Sequence, residues 1–294
     1  MNYPYSNSTN AKTSFSFQDV INIKTESKVA KFILKAFFRA SFIFLIFGVV
    51  TAFSSWGVSV FFVNTIQKNP NFATSSGLII FFIILIAMMF AYTFTYSKWA
   101  SNVANASKAV IVTSVLFASF MYLFLLSSLI GVLSVVDIAR GGAISLDNLN
   151  QQLLINVLRT TSTVFVGGWL AYLIPAAIGY FLKNQKIVKN IAFVITVASV
   201  LLFILLTVNF VLWIVSGNLR TNRIVDLIFF ALFSIITFLM PIVTIFRFKK
   251  VAQQIDYNDQ LLLKRWNFFM SFNIFVELLN MVYLVLNILY RLRG

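Results

Sequence analysis

One carboxylate in this chain stands where a carboxylate is expensive. Glu277 interrupts the apolar run Phe-Asn-Ile-Phe-Val-Glu-Leu-Leu-Asn, eleven residues after Trp266. At 1.5 Å per helical residue, that places it roughly 16 Å into a membrane. An acid at such a depth costs several kcal/mol unless it is neutral, paired or exposed to water. Asn273, Glu277, Asn280 and Asn287 follow at i, i+4, i+7 and i+14, so they line one helical face. Such a stripe must face protein or a water-filled cavity. It reads either as a proton or cation site or as hydrogen-bonding glue between helices.

A candidate partner lies one apolar run earlier, where Arg247 sits between Phe246 and Phe248. Helical spacing puts Thr237, Pro241, Thr244 and either Arg247 or Phe248 on one side. Pro241 is expected to kink that helix, and Pro175 a kink two runs before it. Beside Pro175, Gly167–Gly168 permits close helix packing. Arg247 could hold Glu277 in a bidentate ion pair. It could equally be an anchor that snorkels to lipid headgroups.

Other chemistries are excluded by what is missing. The chain has no cysteine and no histidine. That removes disulfides, thiolate nucleophiles, zinc sites built on these residues, haem ligation and histidine bases. There is no phosphate-binding glycine loop, no pair of intramembrane carboxylates and no metal-ligand cluster. No catalytic residue, cofactor or metal is assigned, and the chain is expected not to be an enzyme.

The elements that must position these residues follow from composition. Of 294 residues, 60% are hydrophobic and 11% charged, with mean hydropathy +0.91. Soluble domains carry about 25% charged residues. With 23 basic and 8 acidic side chains, the chain cannot cover a water-soluble surface. A bilayer core of about 30 Å needs roughly 20 apolar helical residues to cross it. Seven runs qualify: Ser41–Val63, Gly77–Tyr96, Ala109–Val135, Thr161–Leu182, Ile191–Ser216, Leu227–Phe246 and Asn267–Tyr290. None has the alternating pattern of a barrel strand. The expected fold is an all-α membrane protein, a seven-transmembrane-helix bundle over residues 40–294. Residues 1–39 read as a flexible basic cytoplasmic tail. The first thirty residues lack the features of a signal peptide, so Ser41–Val63 is expected to remain as an uncleaved span. The longest outer loop, near Asp137–Thr160, carries a Gly141–Gly142 break and a polar run from Asp147 to Gln152.

Sixteen of the 23 basic residues fall on the side of the N-terminus and seven on the other. The positive-inside rule then puts the N-terminus in the cytoplasm and the C-terminus outside. The formal charge of +15 is spread singly through short loops. That pattern suits an anionic inner leaflet, and no nucleic acid is expected as a partner. Abundant Phe, Asn, Ile and Lys are compatible with an AT-rich bacterial genome and hence a bacterial cell membrane.

The last two runs resemble the Bax inhibitor-1 family, also called the transmembrane Bax-inhibitor-motif family, in divergent form. The family pattern Thr-Ala-Tyr-Asp-Thr-Gln-Lys-Ile is matched by Thr244-Ile245-Phe246-Arg247-Phe248-Lys249-Lys250-Val251. The family pattern Leu-Tyr-Leu-Asp-Phe-Ile-Asn-Leu-Phe is matched by Ile274-Phe275-Val276-Glu277-Leu278-Leu279-Asn280-Met281-Val282. The resemblance is diffuse over the rest of the chain from the first span onward. It implies a seven-helix bundle with a proton-sensitive calcium leak, in which two acids share a proton. The second acid carries over as Glu277, whereas Arg247 stands in place of the first. Arginine stays charged at any relevant pH, so a shared proton is impossible there. The expectation is a standing Arg247–Glu277 latch between the last two spans, with Asn273 and Asn280 beside it. The function expected is an ion leak for Ca2+ or H+. The alternatives are a small secondary transporter using Glu277 as its proton or cation site, or a non-conducting scaffold or regulatory partner of another membrane protein.

Overall fold

The computed structural model describes residues 17–68, 76–140, 149–216 and 223–293. Seven helices fill those segments: α1 (Phe17–Lys68), α2 (Ser76–Ser101), α3 (Lys108–Arg140), α4 (Leu149–Phe181), α5 (Gln185–Ser216), α6 (Arg223–Gln254) and α7 (Gln260–Arg293). Each contains a stretch long and apolar enough to cross a membrane, and no strand occurs among the described residues. The seven-helix bundle expected from hydropathy is the architecture observed. Gly141–Gly142 and Asp147 lie outside the described residues, as do residues 1–16 of the N-terminal segment.

Of the expected tail over residues 1–39, the part from Phe17 onward is instead the first stretch of α1. Val29, Phe32, Ile33, Ala36 and Ala40 are buried, while Lys28, Lys31, Lys35 and Arg39 are exposed. The buried set repeats at helical spacing, and no glycine or proline interrupts it. The charged residues occupy the outer face of a helix whose inner face belongs to the core.

Three short turns gather at the end of the bundle where α1 begins, here called the basic end. Their capping is local and polar. Ser107 Oγ accepts from the Val110 amide at 3.3 Å, and Asn184 Oδ1 from the Lys186 amide at 2.9 Å. Asp259 Oδ1 accepts from the amides of Leu261 and Leu262 at 3.0 and 2.9 Å, closing the first turn of α7. Side chains tie the same end together across helices. Arg265 donates to the Ala104 carbonyl, Asn267 Nδ2 to the Phe32 carbonyl at 3.2 Å, and Lys249 Nζ to the Tyr180 carbonyl at 3.0 Å. At the opposite end, Arg291 and Asp226 form an ion pair of 2.8 Å between α7 and α6.

Helix α7 is the axis of the bundle, packing against α1, α3, α4 and α6. Of its most apolar stretch 56% is buried inside the protein, against 6% for α2 and 11% for α5. The latter two therefore stand at the lipid-facing periphery, α5 leaning on α6 and α2 on α3. Glycines permit the closest approaches. A Cβ on Gly168 would lie 2.8 Å from the Val282 amide nitrogen, and one on Gly179 2.5 Å from the Ile242 carbonyl oxygen. The close packing expected at Gly167–Gly168 is thus present between α4 and α7. Pro175 and Pro241 both lie inside helices that continue through them, so neither proline ends its span.

Candidate functional site

The polar stripe of α7 is where four other helices converge. Glu277 is buried midway along α7, at 7% exposure. Tyr172 of α4, itself fully buried, donates its hydroxyl to Glu277 Oε2 at 3.2 Å. Thr244 of α6 lies close enough to interact with the same carboxyl group. One turn toward the basic end, Tyr96 of α2 donates to Asn273 Oδ1 at 2.5 Å. One turn the other way, Tyr122 of α3 donates to Asn280 Oδ1 at 2.6 Å. Tyr92 completes the cluster, near enough to Tyr96, Tyr122 and Glu277 to interact with all three electrostatically. A buried phenol needs a hydrogen-bond acceptor, and α7 supplies one to each of Tyr96, Tyr122 and Tyr172.

One flank of the site is closed by side chains alone. The backbone of α2 stays more than 8 Å from those of α6 and α7. Aromatic rings span the distance to α7: Tyr96 stacks on Phe269 with centroids 6.0 Å apart, and Trp99 meets Phe269 and Phe272 at 5.2 Å each. Tyr92, Tyr96, Asn273 and Asn280 on this flank are half-buried. Asn287, the fourth member of the stripe, instead turns its Nδ2 onto the Tyr283 carbonyl of its own helix at 2.8 Å.

Arg247 does not join Glu277, which corrects the expected latch. Among the described residues it makes no ion pair with the carboxylate, and its side chain is exposed. The reason is rotational. Thr244 takes the inward position on α6, and the residue one turn further that follows it inward is Phe248, buried at 6%. Arg247 is turned outward by about 100° relative to Phe248. It stands close enough to Tyr96 for its charge to be felt there.

The tyrosines are the functional candidates that sequence reasoning missed. Their signal was position: Tyr122 and Tyr172 sit in mid-span rather than in the interfacial belts where tyrosines usually gather. Chemically, the arrangement is a single acid surrounded by neutral oxygen and nitrogen groups. No group of three or more Cys, His, Asp or Glu side chains that could hold a metal occurs among the described residues.

No family model, no curated protein and no solved structure matches the chain.

Proposed function

We propose that this multi-pass membrane protein passes a cation or proton through Glu277, as an ion leak resembling the Bax inhibitor-1 type. The observation that carries the reading is a buried mid-membrane carboxylate held by Tyr172, with Thr244 close by, and not neutralised by Arg247. An acid in that setting gains by taking up a proton or a cation. Calcium suits it chemically as a hard ion preferring oxygen ligands. With Arg247 turned away, nothing at the carboxylate repels a cation. The two-motif resemblance in the last two spans supports the same class. An enzymatic role is not proposed, since one acid among phenols and amides offers no evident nucleophile with a base to activate it.

The proposed setting is a bacterial cell membrane, with the N-terminus in the cytoplasm and the C-terminus outside. The uneven distribution of Lys and Arg supports that orientation.

Calcium efflux from proteoliposomes at pH 6, 7 and 8 tests the proposal. Protons and Ca2+ compete for the same oxygens, so efflux is expected to rise with pH and to be lost in Glu277→Gln. Efflux equal to that of empty liposomes would sink the leak and favour the scaffold role. Uptake that follows a solute gradient and requires Glu277 would favour a transporter.

A further inference from the structure

The half of the bundle away from the basic end contains hydroxyls that the Glu277 cluster does not use. On α1, Thr51, Ser55 and Ser59 follow at i, i+4 and i+8, all at 0% exposure. Each donates to the carbonyl four residues back, at 2.8, 2.7 and 2.8 Å respectively. Their oxygens therefore keep lone pairs directed away from their own backbone. Two buried hydroxyls on the neighbouring helices have no protein partner, Ser127 Oγ on α3 and Thr161 Oγ1 on α4, and neither has Trp56 Nε1 on α1 itself. Ser127 and Thr161 are 3% and 5% exposed.

The helix contacts bring these groups to one level. A Cβ on Gly131 would meet the Ser55 carbonyl at 3.1 Å and Ser59 Oγ at 3.2 Å, so that face of α3 looks at α1. Ser127 is one turn earlier on the same face, level with the Thr51–Ser55 turn. A Cβ on Gly48 would meet the Phe165 ring at 2.9 Å, which sets α4 against α1. Thr161 is one turn from Phe165, and Thr51 about one turn from Gly48, in the same direction through the bundle. Three helices thus bring hydroxyls together, with an indole donor beside them.

We propose that this α1–α3–α4 seam holds a chain of water that continues the Glu277 cluster toward the end of the bundle opposite the basic end. The inference rests on the leak reading for its use, but its occupant is argued separately. Orphaned buried hydroxyls are costly unless they find a partner, and water satisfies both donors and acceptors. A bare cation fits poorly, because Trp56 presents a donor and the seam holds no carboxylate among the groups named. The near end of the seam meets the cluster through α3: Ser127 lies five residues from Tyr122, about 7.5 Å along the axis. The far end continues past Gly131 to Ser134, buried at 0%.

The absence of native cysteine makes the seam directly testable. Ser127→Cys, Thr161→Cys and Ser55→Cys would each be reconstituted, exposed to Ag+, washed, denatured and labelled with a maleimide. Ag+ travels through water and caps thiols, so a hydrated seam predicts loss of most of the maleimide signal at all three positions. Leu126→Cys, buried at 0% on the same helix, is expected to keep its signal. Full labelling of Ser127→Cys and Thr161→Cys after Ag+ would overturn the proposal. Equal loss at Leu126→Cys would also overturn it, by showing a loose bundle rather than a seam. If the thiols stay unreactive while efflux still requires Glu277, this inference alone fails. If Ag+ reaches the thiols in a protein with no efflux, the seam stands and the leak fails.

Discussion

The two halves of this bundle satisfy their polar groups in opposite ways. Around Glu277, long side chains reach across helices, and each bond joins α7 to a different neighbour: Tyr96 on α2, Tyr122 on α3, Tyr172 on α4. In the α1–α3–α4 seam, short hydroxyls fold back onto their own helices, Ser59 alone of the α1 three also reaching α3, and Ser127 and Thr161 have no protein partner. Around Glu277 the stripe's polar groups are joined to protein, whereas in the seam two buried hydroxyls are not. Side-chain length explains the contrast. A tyrosine hydroxyl lies far enough from its backbone to bridge separated helices, whereas serine and threonine reach the carbonyl of their own preceding turn. Helix spacing follows the same division. The backbones of α2 and α7 stay more than 8 Å apart and are bridged by rings, while α1 and α3 approach closely enough for Ser59 to reach the Gly131 carbonyl at 3.2 Å.

The contrast predicts a graded series of effects. The largest belongs to Tyr172→Phe, which removes a hydroxyl from a buried carboxyl group and leaves it with Thr244. A loss of about 1–3 kcal/mol is expected in reversible unfolding from mixed micelles. A loss no larger than that of a surface change would mean that the carboxyl group finds water there too. A smaller effect is expected for the Tyr122–Asn280 bond. A double-mutant cycle with Tyr122→Phe and Asn280→Leu should give a coupling of about 0.6 kcal/mol, the average for such bonds in a membrane. No coupling at all would show that the pair does not form in the bilayer. The smallest belongs to Ser55→Ala. Its hydroxyl donates to a carbonyl already engaged in the helix, so stability should change by no more than about 0.5 kcal/mol. A cost as large as that of Tyr172→Phe would erase the distinction between the two halves.

The sequence carried the spans more clearly than the site. Seven apolar runs are visible because a membrane helix must be apolar over its whole length. The start of α1 was obscured by Lys28, Lys31, Lys35 and Arg39, which suggest a solvated tail. The apolar residues between them already repeat at helical spacing, and that repeat is the signal the core uses. The stripe of Asn273, Glu277 and Asn280 was legible because three polar residues on one apolar face demand partners. Which partners they find was not, since the tyrosines come from three other helices and nothing in spacing along one helix links them. The Arg247 pairing failed by one residue of rotation. Spacing allowed Arg247 or Phe248 inward, and packing against α7 favours the apolar ring, which costs nothing to bury, over a guanidinium. The hydroxyl seam was hidden more deeply, because Ser127 and Thr161 are separated in sequence and serine in an apolar run is commonplace.

The proposed leak needs Glu277 to exchange a proton or cation inside the membrane without an arginine partner. Infrared difference spectra of the reconstituted protein, recorded between acid and alkaline pH, test it directly. A protonated-carboxyl band from a buried acid is expected, lost in Glu277→Gln and unchanged in Arg247→Gln. A band that survives in Glu277→Gln, or one that shifts strongly in Arg247→Gln, would contradict it.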